Sequence, residues 1–508
     1  MVVIPFSQST DLASAETHIS TLFFSRDRVY KLLKPIANGF LDHRDTDERC
    51  VAALREFELN RRISPNVYLG TADVVENGDL VDRMIVMQRL PAEQSVTALL
   101  RAGKLTTDHL REIAKAVASF HASLTPEYPD SDVVEEHRTR WTDNTSEMAP
   151  FVGAVLRAED TDRITHLFTR WLNSHGALLR QRIADGHVRD GHGDLLADDI
   201  FCLDTGPEIL DCLAFRDDLR LVDVLDDIAF LAMDLHRLGG PALAQHLIKW
   251  YVEFSGENHP SSLAHYYVAY RAHVRAKIAC LRFEAGEQQF AAIARMYHRL
   301  CLDQLERAQL RLIMVGGGPG TGKTTLARAL GRQFGCVVLA TDEIRKDLAG
   351  VDRTTHYFAE PDMGIYTDVH TEHTYDELLR QANLLMLAGE TVILDASWTN
   401  EGQRARARSL AAERNADLVA LECALPSAIA TERIVRRLAD PESTSDATPD
   451  VVEHMKRLHE PWPDAIQIDG NQSTANVEQD ALDAIRARGR GFINDPNTPR
   501  GGSFWGRS

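Results

Sequence analysis

Gly317-Gly318-Pro319-Gly320-Thr321-Gly322-Lys323-Thr324 is the stretch that decides how this chain is read. It fits G-x-x-x-x-G-K-[ST], a loop whose backbone N–H groups surround the phosphates of a nucleotide. Leu312-Ile313-Met314-Val315 before it reads as a buried strand, and TTLARAL (324–330) after it as a helix. Glycine lets the backbone turn inward and approach a ligand with no Cβ in the way. The helix N-terminus adds a dipole that favours anions. In this frame Lys323 reaches the β- and γ-phosphates and the Thr324 hydroxyl ligates Mg²⁺, with Thr325 in the same nucleotide-binding set.

Working outward, strand and helix candidates alternate from about residue 311. The strands are LIMVGG, CVVLAT (336–341), TVILDAS (391–397), DLVALECAL (417–425) and AIQIDG (465–470). Helical patterns fall at 323–334, 342–349, 374–388, 401–414, 427–439, 449–459 and 474–488. Such alternation predicts an α/β unit, a parallel sheet covered on both faces. The loop from Pro441 to Pro449 is polar, and the tail 491–508 is expected to be disordered. The first 300 residues read differently. THISTLFFS (17–25) and RVYKLLK (28–34) flank Arg26-Asp27 as a hairpin, a helix follows at 47–63, and MIVMQRL (84–90) is a further strand. Helical periodicity dominates from about 107. The expectation is an α+β domain at 1–304, with a small β-rich lobe and a helical lobe, then a P-loop domain at 305–490. LCLDQLERAQL across the join predicts a helical connection rather than a loose tether.

Composition narrows the function classes. The 508 residues are 44% hydrophobic and 26% charged, with a net charge of −19. That balance argues against long nucleic acids and anionic membranes as partners. The seven cysteines are scattered without a C-x-x-C pair, which reads as thiols in a reducing compartment. MVVIPFSQSTDLASAE has no basic segment followed by an apolar stretch, and no run of 18 apolar residues occurs, so a cytoplasmic protein is expected.

A second constellation lies upstream. His192-Gly193-Asp194 precedes a strand-like Asp199-Ile200-Phe201-Cys202-Leu203, and Ile209-Leu210-Asp211 ends another short strand. Phosphoryl transfer needs an acid to accept the acceptor's hydroxyl proton and oxygen ligands to hold Mg²⁺ on the triphosphate. Asp194 suits the first task, and Asp199 and Asp211 the second. H-G-D alone is as well explained by a capping Asp beside a buried His. Lys31 on the hairpin and Glu56 on the next helix supply the missing half, a strand Lys paired to a helix Glu on the α- and β-phosphates.

THISTLFFSRDRVYKLLKP, REFELNRR, VASFHA (117–122), VRDGHGDL (188–195), ILDCLAFRDDLR (209–220) and DVLDDIAFLAMDL together resemble the aminoglycoside phosphotransferase-like domains, which include choline and fructosamine kinase-like members. The last 200 residues resemble P-loop kinases of the zeta-toxin, gluconate-kinase and polynucleotide-kinase type. The whole looks like the bacterial two-domain proteins that fuse these modules. The resemblance implies ATP and Mg²⁺ as cofactors and a protein-kinase-like fold in the first half. It does not imply antibiotic resistance, because the family's acceptors are diverse. Two departures stand out: the family usually has Asn where this chain has Asp199, and relatives often have an acid at Ala214.

Within the P-loop half the same resemblance casts Asp342 as the residue that activates the acceptor hydroxyl; a helix cap is its plainer reading. Arg345 is a candidate for an acceptor anion. Asp395, ending TVILDAS, resembles the acid that orients Mg²⁺. Arg433 and Arg436, with Arg437 beside them, are candidates for the lid arginine that neutralises the transferred phosphoryl group. His356, His370 and His373 lack metal-ligand spacing and read as surface or acceptor-side residues. The expectation is an ATP-dependent phosphotransferase with two nucleotide-binding modules acting on a hydroxyl of a small molecule, sugar-like or amino-sugar-like. Two alternatives stay open: a nucleotide sugar or nucleic-acid 5′-end as acceptor of the P-loop half, and a non-catalytic ATP-binding first half. The sequence is silent on oligomeric state.

Overall fold

The structure, a computed structural model, describes residues 13–17, 19–38, 41–352, 364–438 and 449–491. The first twelve residues, His356, most of the polar loop after Pro441 and the tail from 492 lie outside them. Contacts divide the chain into two compact units. One comprises Met1–Asp132, Arg180–His259 and Tyr267–Cys301; the other comprises Val133–Leu179, Pro260–Tyr266 and Leu302–Ser508. The units interleave along the chain, so this division differs from the contiguous 1–304 and 305–490 segments read from the sequence.

The first unit opens with a five-stranded antiparallel sheet. Its order is Ala13–Glu16, Ser20–Phe24, Arg28–Leu33, Asp79–Gln88, Tyr68–Glu76. In Arg28–Leu33 the buried positions alternate as Val29, Lys31 and Leu33. Side chains alternate across a strand, so Lys31 shares the inward face with two aliphatics. The helix Thr46–Arg61 packs on that face. Asp45 caps it by accepting from the N–H of Asp47 and Glu48 at 2.9 and 3.1 Å. Its buried side carries Cys50, Ala53, Glu56 and Asn60, so ionisable and amide groups enter a core of Val29, Leu33, Val67, Ile85 and Met87. The strand Tyr68–Glu76 escaped the sequence reading; its register shifts at Tyr68/Gly70 and Val74/Val75 blur the alternation.

The helical part of this unit holds two short antiparallel pairs, Val188–Asp190 with Leu221–Asp223 and Ile200–Leu203 with Gly206–Ile209. Both lead into loops that carry the candidate acids. The helix Val224–Arg237 is buried continuously from Val224 to Leu235, the mark of an interior helix. It therefore places Asp226, Asp227 and Asp234 inside the protein, where each needs a partner.

The second unit contains a five-stranded parallel sheet in the order Val337–Ala340, Val392–Asp395, Arg311–Gly316, Asp417–Ala424, Ile466–Asp469. Both faces carry apolar clusters, one around Leu312, Met314, Leu378 and Leu394, the other around Ile313, Val315, Leu330 and Leu421. All five strands match the sequence reading; the three inner ones, Val392–Asp395, Arg311–Gly316 and Asp417–Ala424, are largely buried on both faces and read as apolar runs. The central strand ends in the glycine-rich loop, where the strand order reverses and ligands of open α/β sheets bind. Residues from earlier in the chain complete this unit. The Trp171 ring stacks on Tyr266 at 3.5 Å between centroids, Arg170 pairs with Asp417, and the Arg170 Nε donates to the Asn415 carbonyl at 3.0 Å. The helix Phe290–Ala308 runs to within three residues of the strand at Arg311, as the helical connection predicted. Among the described residues no helix is long and apolar enough to cross a membrane. None of the seven cysteines is in a disulfide, and five of them are buried.

Candidate functional site

In the first unit, Lys31 Nζ lies 2.6 Å from Glu56 Oε1 and 2.6 Å from Asp211 Oδ1. Burial opposes the Lys31 charge, but Asp211 and Glu56 outweigh it and raise its pKa. The Lys31 ammonium in turn holds the Asp211 carboxyl below its usual range. Asp211 takes a left-handed backbone, φ 64°, uncommon outside glycine. The sequence reading placed it at the end of a strand; the strand stops at Ile209 and Asp211 stands in the turn beyond.

The catalytic-loop candidate is built around Asp227. This fully buried carboxylate accepts from the backbone N–H of His192 at 2.7 Å and of Gly193 at 2.8 Å, and pairs with His121 Nε2 at 3.0 Å. Burial would raise its pKa, yet the His121 bond and the His192 contacts hold it below the usual range. Gly193 has φ 83°, and a Cβ there would meet Arg220 Cγ at 3.1 Å and Leu219 O at 3.2 Å, so glycine is needed for the loop to close. Asp194, half-buried, stands next in line. Burial pushes its carboxyl up to about 6 against the pull of Arg275, whose guanidinium lies 4.0 Å away. Burial, then the charges of Asp211 and Asp194, push Asp199 well above the usual carboxylate range. The sequence-predicted acids Asp194, Asp199 and Asp211 are therefore close enough for their charges to act on one another.

That crowding fits a cation. Among the described residues no group of three His, Cys, Asp or Glu forms a metal cage. Mg²⁺ held here would take carboxylate oxygens from Asp199 and Asp211 and complete its shell with triphosphate or water oxygens, as Mg²⁺ commonly does.

In the second unit the glycines of the loop explain themselves. Gly317, Gly320 and Gly322 have φ of 132°, 79° and 97°. A Cβ on Gly317 would meet Cys423 O at 2.6 Å, and one on Gly320 would meet Ala430 O at 2.8 Å. Thr321 closes the turn by donating to Gly318 O at 2.8 Å, and the helix Lys323–Phe334 starts directly after it. Asp395 ends the neighbouring strand, in register with Val315. Burial raises its pKa, opposed by Lys323 and by a hydrogen bond from Thr324. Its Oδ1 is buried without a hydrogen-bond partner. An orphaned carboxylate oxygen beside Thr324 suits Mg²⁺ or a water bound to it.

Asp342 sits in the first turn of Thr341–Leu348 and is exposed. The helix cap is Ala340, so the capping role weighed for Asp342 is not realised. Ala340, two residues before Asp342, is in register with Asp395, so both acids stand at one end of the sheet, and the charge of Asp342 raises the Asp395 pKa. Arg345 donates to Asp342 at 3.2 Å and lies over the Tyr366 ring at 4.9 Å. Arg433 donates to Gly470 O at 2.9 Å, and Gly470 abuts the Thr321 carbonyl, so Arg433 adjoins the loop. Arg436 is exposed on the same helix, and the side chain of Arg437 lies outside the described residues. His370 and His373 are exposed. Residues without an assigned role in the sequence reading include Asp227 and His121, which lie in its quoted segments, and Trp398 and Trp462, whose rings would meet any Cβ on Gly316.

Residues 312–462 match the family described as AAA domain. Uncharacterized proteins of Mycobacterium tuberculosis and Mycobacterium bovis are 36% identical over 457 residues, 89% of this chain and 91% of theirs. Among solved structures the chain is similar to the aminoglycoside phosphotransferase APH(2")-IIia in complex with GDP and kanamycin (13% identity, 59% of this chain and 94% of that one, TM-score 0.41). It is also similar to a gluconokinase from Sinorhizobium meliloti (14% identity, 36% and 95%, TM-score 0.27).

Proposed function

We propose that this chain, which belongs to the family of those mycobacterial proteins, is an ATP-dependent phosphotransferase with two nucleotide-binding modules. Each module passes the γ-phosphoryl group of ATP to a hydroxyl of a small molecule, sugar-like or amino-sugar-like. The observation that carries the reading is the 2.6 Å contact of Lys31 with both Glu56 and Asp211, with Asp194 and Asp199 near enough for the charge of Asp211 to act on both. A purely structural pairing of Lys31 with Glu56 and Asp211 would not need two more acids, Asp194 and Asp199, crowded beside it.

In the first unit Lys31, oriented by Glu56, would hold the α- and β-phosphates. Asp194 would orient the acceptor hydroxyl and take its proton. The backbone of its loop stays fixed because Asp227 grips two successive N–H groups. In the second unit the loop N–H groups and Lys323 would cradle the phosphates, Asp342 would take the acceptor proton, and Arg433 or Arg436 would face the charge growing on the phosphoryl group. Bound Mg²⁺ supplies charge neutralisation in both, held by Asp199 and Asp211 in one and by Thr324 and Asp395 in the other. One observation favours a second reading of the first unit, as a binding module without turnover: the charge of Asp199, where the resembled family usually has Asn. Phosphate release and transfer by the full chain, compared among Asp194→Asn, Lys323→Ala and the double variant over a panel of sugars and amino sugars, test the proposal. Transfer that survives the double variant contradicts it.

A further inference from the structure

Four polar residues recur at a spacing of four, Glu56, Asn60, Ser64 and Tyr68, and all are at most 5% exposed. Glu56 pairs with Lys31. The other three all point at the segment that carries Asp211. Ser64 Oγ donates to Ile209 O and accepts from Ile209 N, both at 2.9 Å. Tyr68 Oη accepts from Asp211 N at 3.2 Å. Asn60 Oδ1 accepts from Cys212 N at 2.8 Å, while its Nδ2 donates to the carbonyl of Glu56 at 2.9 Å. The remaining groups of the segment are held from the catalytic loop: Leu210 N donates to Asp199 O at 2.9 Å, His192 Nε2 meets Leu210 O at 3.0 Å, and Leu213 N donates to His192 O at 3.0 Å.

We infer that Asn60, Ser64 and Tyr68 are positioning residues that fix the Asp211 carboxylate for metal and lock it to the Lys31–Glu56 pair. The inference rests on reading this unit as a Mg·ATP site. A buried backbone group must find a partner, and here Asn60 in the last turn of the helix, Ser64 just after it and Tyr68 at the start of the next strand supply side-chain partners. A left-handed aspartate is also an uncommon state that persists only where its surroundings over-determine it. Tyr68 holds the N–H on one side of that residue and Asn60 the N–H on the other. Because Asn60 also binds the Glu56 carbonyl, the Glu56 helix and the Asp211 turn form one piece, and the site is assembled before nucleotide arrives.

The test uses the full-length protein carrying Lys323→Ala, so that only the first site reports. Binding of a fluorescent ATP analogue is titrated against Mg²⁺, with thermal unfolding in EDTA alongside. Tyr68→Phe and Asn60→Ala should each raise the half-saturating Mg²⁺ about tenfold, the usual effect of removing a group that orients a metal ligand. Metal-free analogue binding should not change, because Lys31 and Glu56 remain. Val117→Ala, a buried change in the same unit, should lower the melting temperature and leave the Mg²⁺ requirement alone. An unchanged Mg²⁺ requirement in Tyr68→Phe overturns the inference, as does an equal shift in Val117→Ala. Tyr68→Phe keeps the test valid if Asn60→Ala does not fold. A parent protein that binds the analogue under no Mg²⁺ condition overturns the reading of the unit itself.

Discussion

The glycine-rich loop makes its anion site from backbone, whereas the Lys31 site makes one from side chains. The loop needs eight consecutive residues and conformations that only glycine reaches easily, with φ of 132°, 79° and 97° at Gly317, Gly320 and Gly322. The Lys31 site joins residues 180 positions apart and depends on compensating buried charge. One is sensitive to an added methyl group, the other to a lost charge. The two should therefore fail in different ways, which gives the comparison its tests.

The largest effect is expected at Lys323. Lys323→Ala in an Asp194→Asn background should cut ATP turnover by the full chain about a hundredfold or more. Its melting temperature should hardly move, because the lysine is half-buried at the surface of the loop. Lys31→Ala should behave oppositely in stability. Removing the ammonium leaves Glu56 buried and uncompensated, so denaturant unfolding should show a loss of about 3 kcal/mol, together with loss of Mg·ATP at the first site. Within the loop, Gly320→Ala should cost about 1–3 kcal/mol through a strained φ and a Cβ 2.8 Å from Ala430 O. Gly318→Ala, whose nearest neighbour would be 3.9 Å away, should stay within about 0.5 kcal/mol. The smallest effect concerns pH. Asp194, pushed up to about 6, must be ionised to accept a proton, so transfer at the first site should rise with pH through that value. Arg275 favours the ionised form, so Arg275→Gln should move the midpoint of the pH–rate profile upward.

The same contrast explains what could be read in the sequence. Four strands of the parallel sheet were legible because LIMV, VVLA, VIL and LVAL are uninterrupted apolar runs, and the fifth, IQID, because apolar and polar residues alternate in it. The loop was legible because its residues are adjacent. Lys31, Glu56, Asp194 and Asp211 were found through their order along the chain and a family resemblance, not through any local signal. Hidden were groups whose meaning is a long-range partner. Asn60 and Ser64 look like ordinary helix-end polar residues until the 209–213 segment is folded against them. Val133–Leu179 looks like part of the first helical lobe, yet Trp171 and Arg170 pack into the unit that holds the parallel sheet. That last point bears on experiment: a fragment beginning near residue 305 would lack these residues, so the variants belong in the full chain.

The claim that one chain carries two differently built nucleotide sites is tested most directly by stoichiometry. Calorimetric titration of the full-length protein with a non-hydrolysable ATP analogue and Mg²⁺ should give two equivalents per chain. Lys323→Ala and Lys31→Ala should each reduce this to one, and the double variant to none. A single equivalent in the parent that Lys323→Ala abolishes would contradict the account of the Lys31 site.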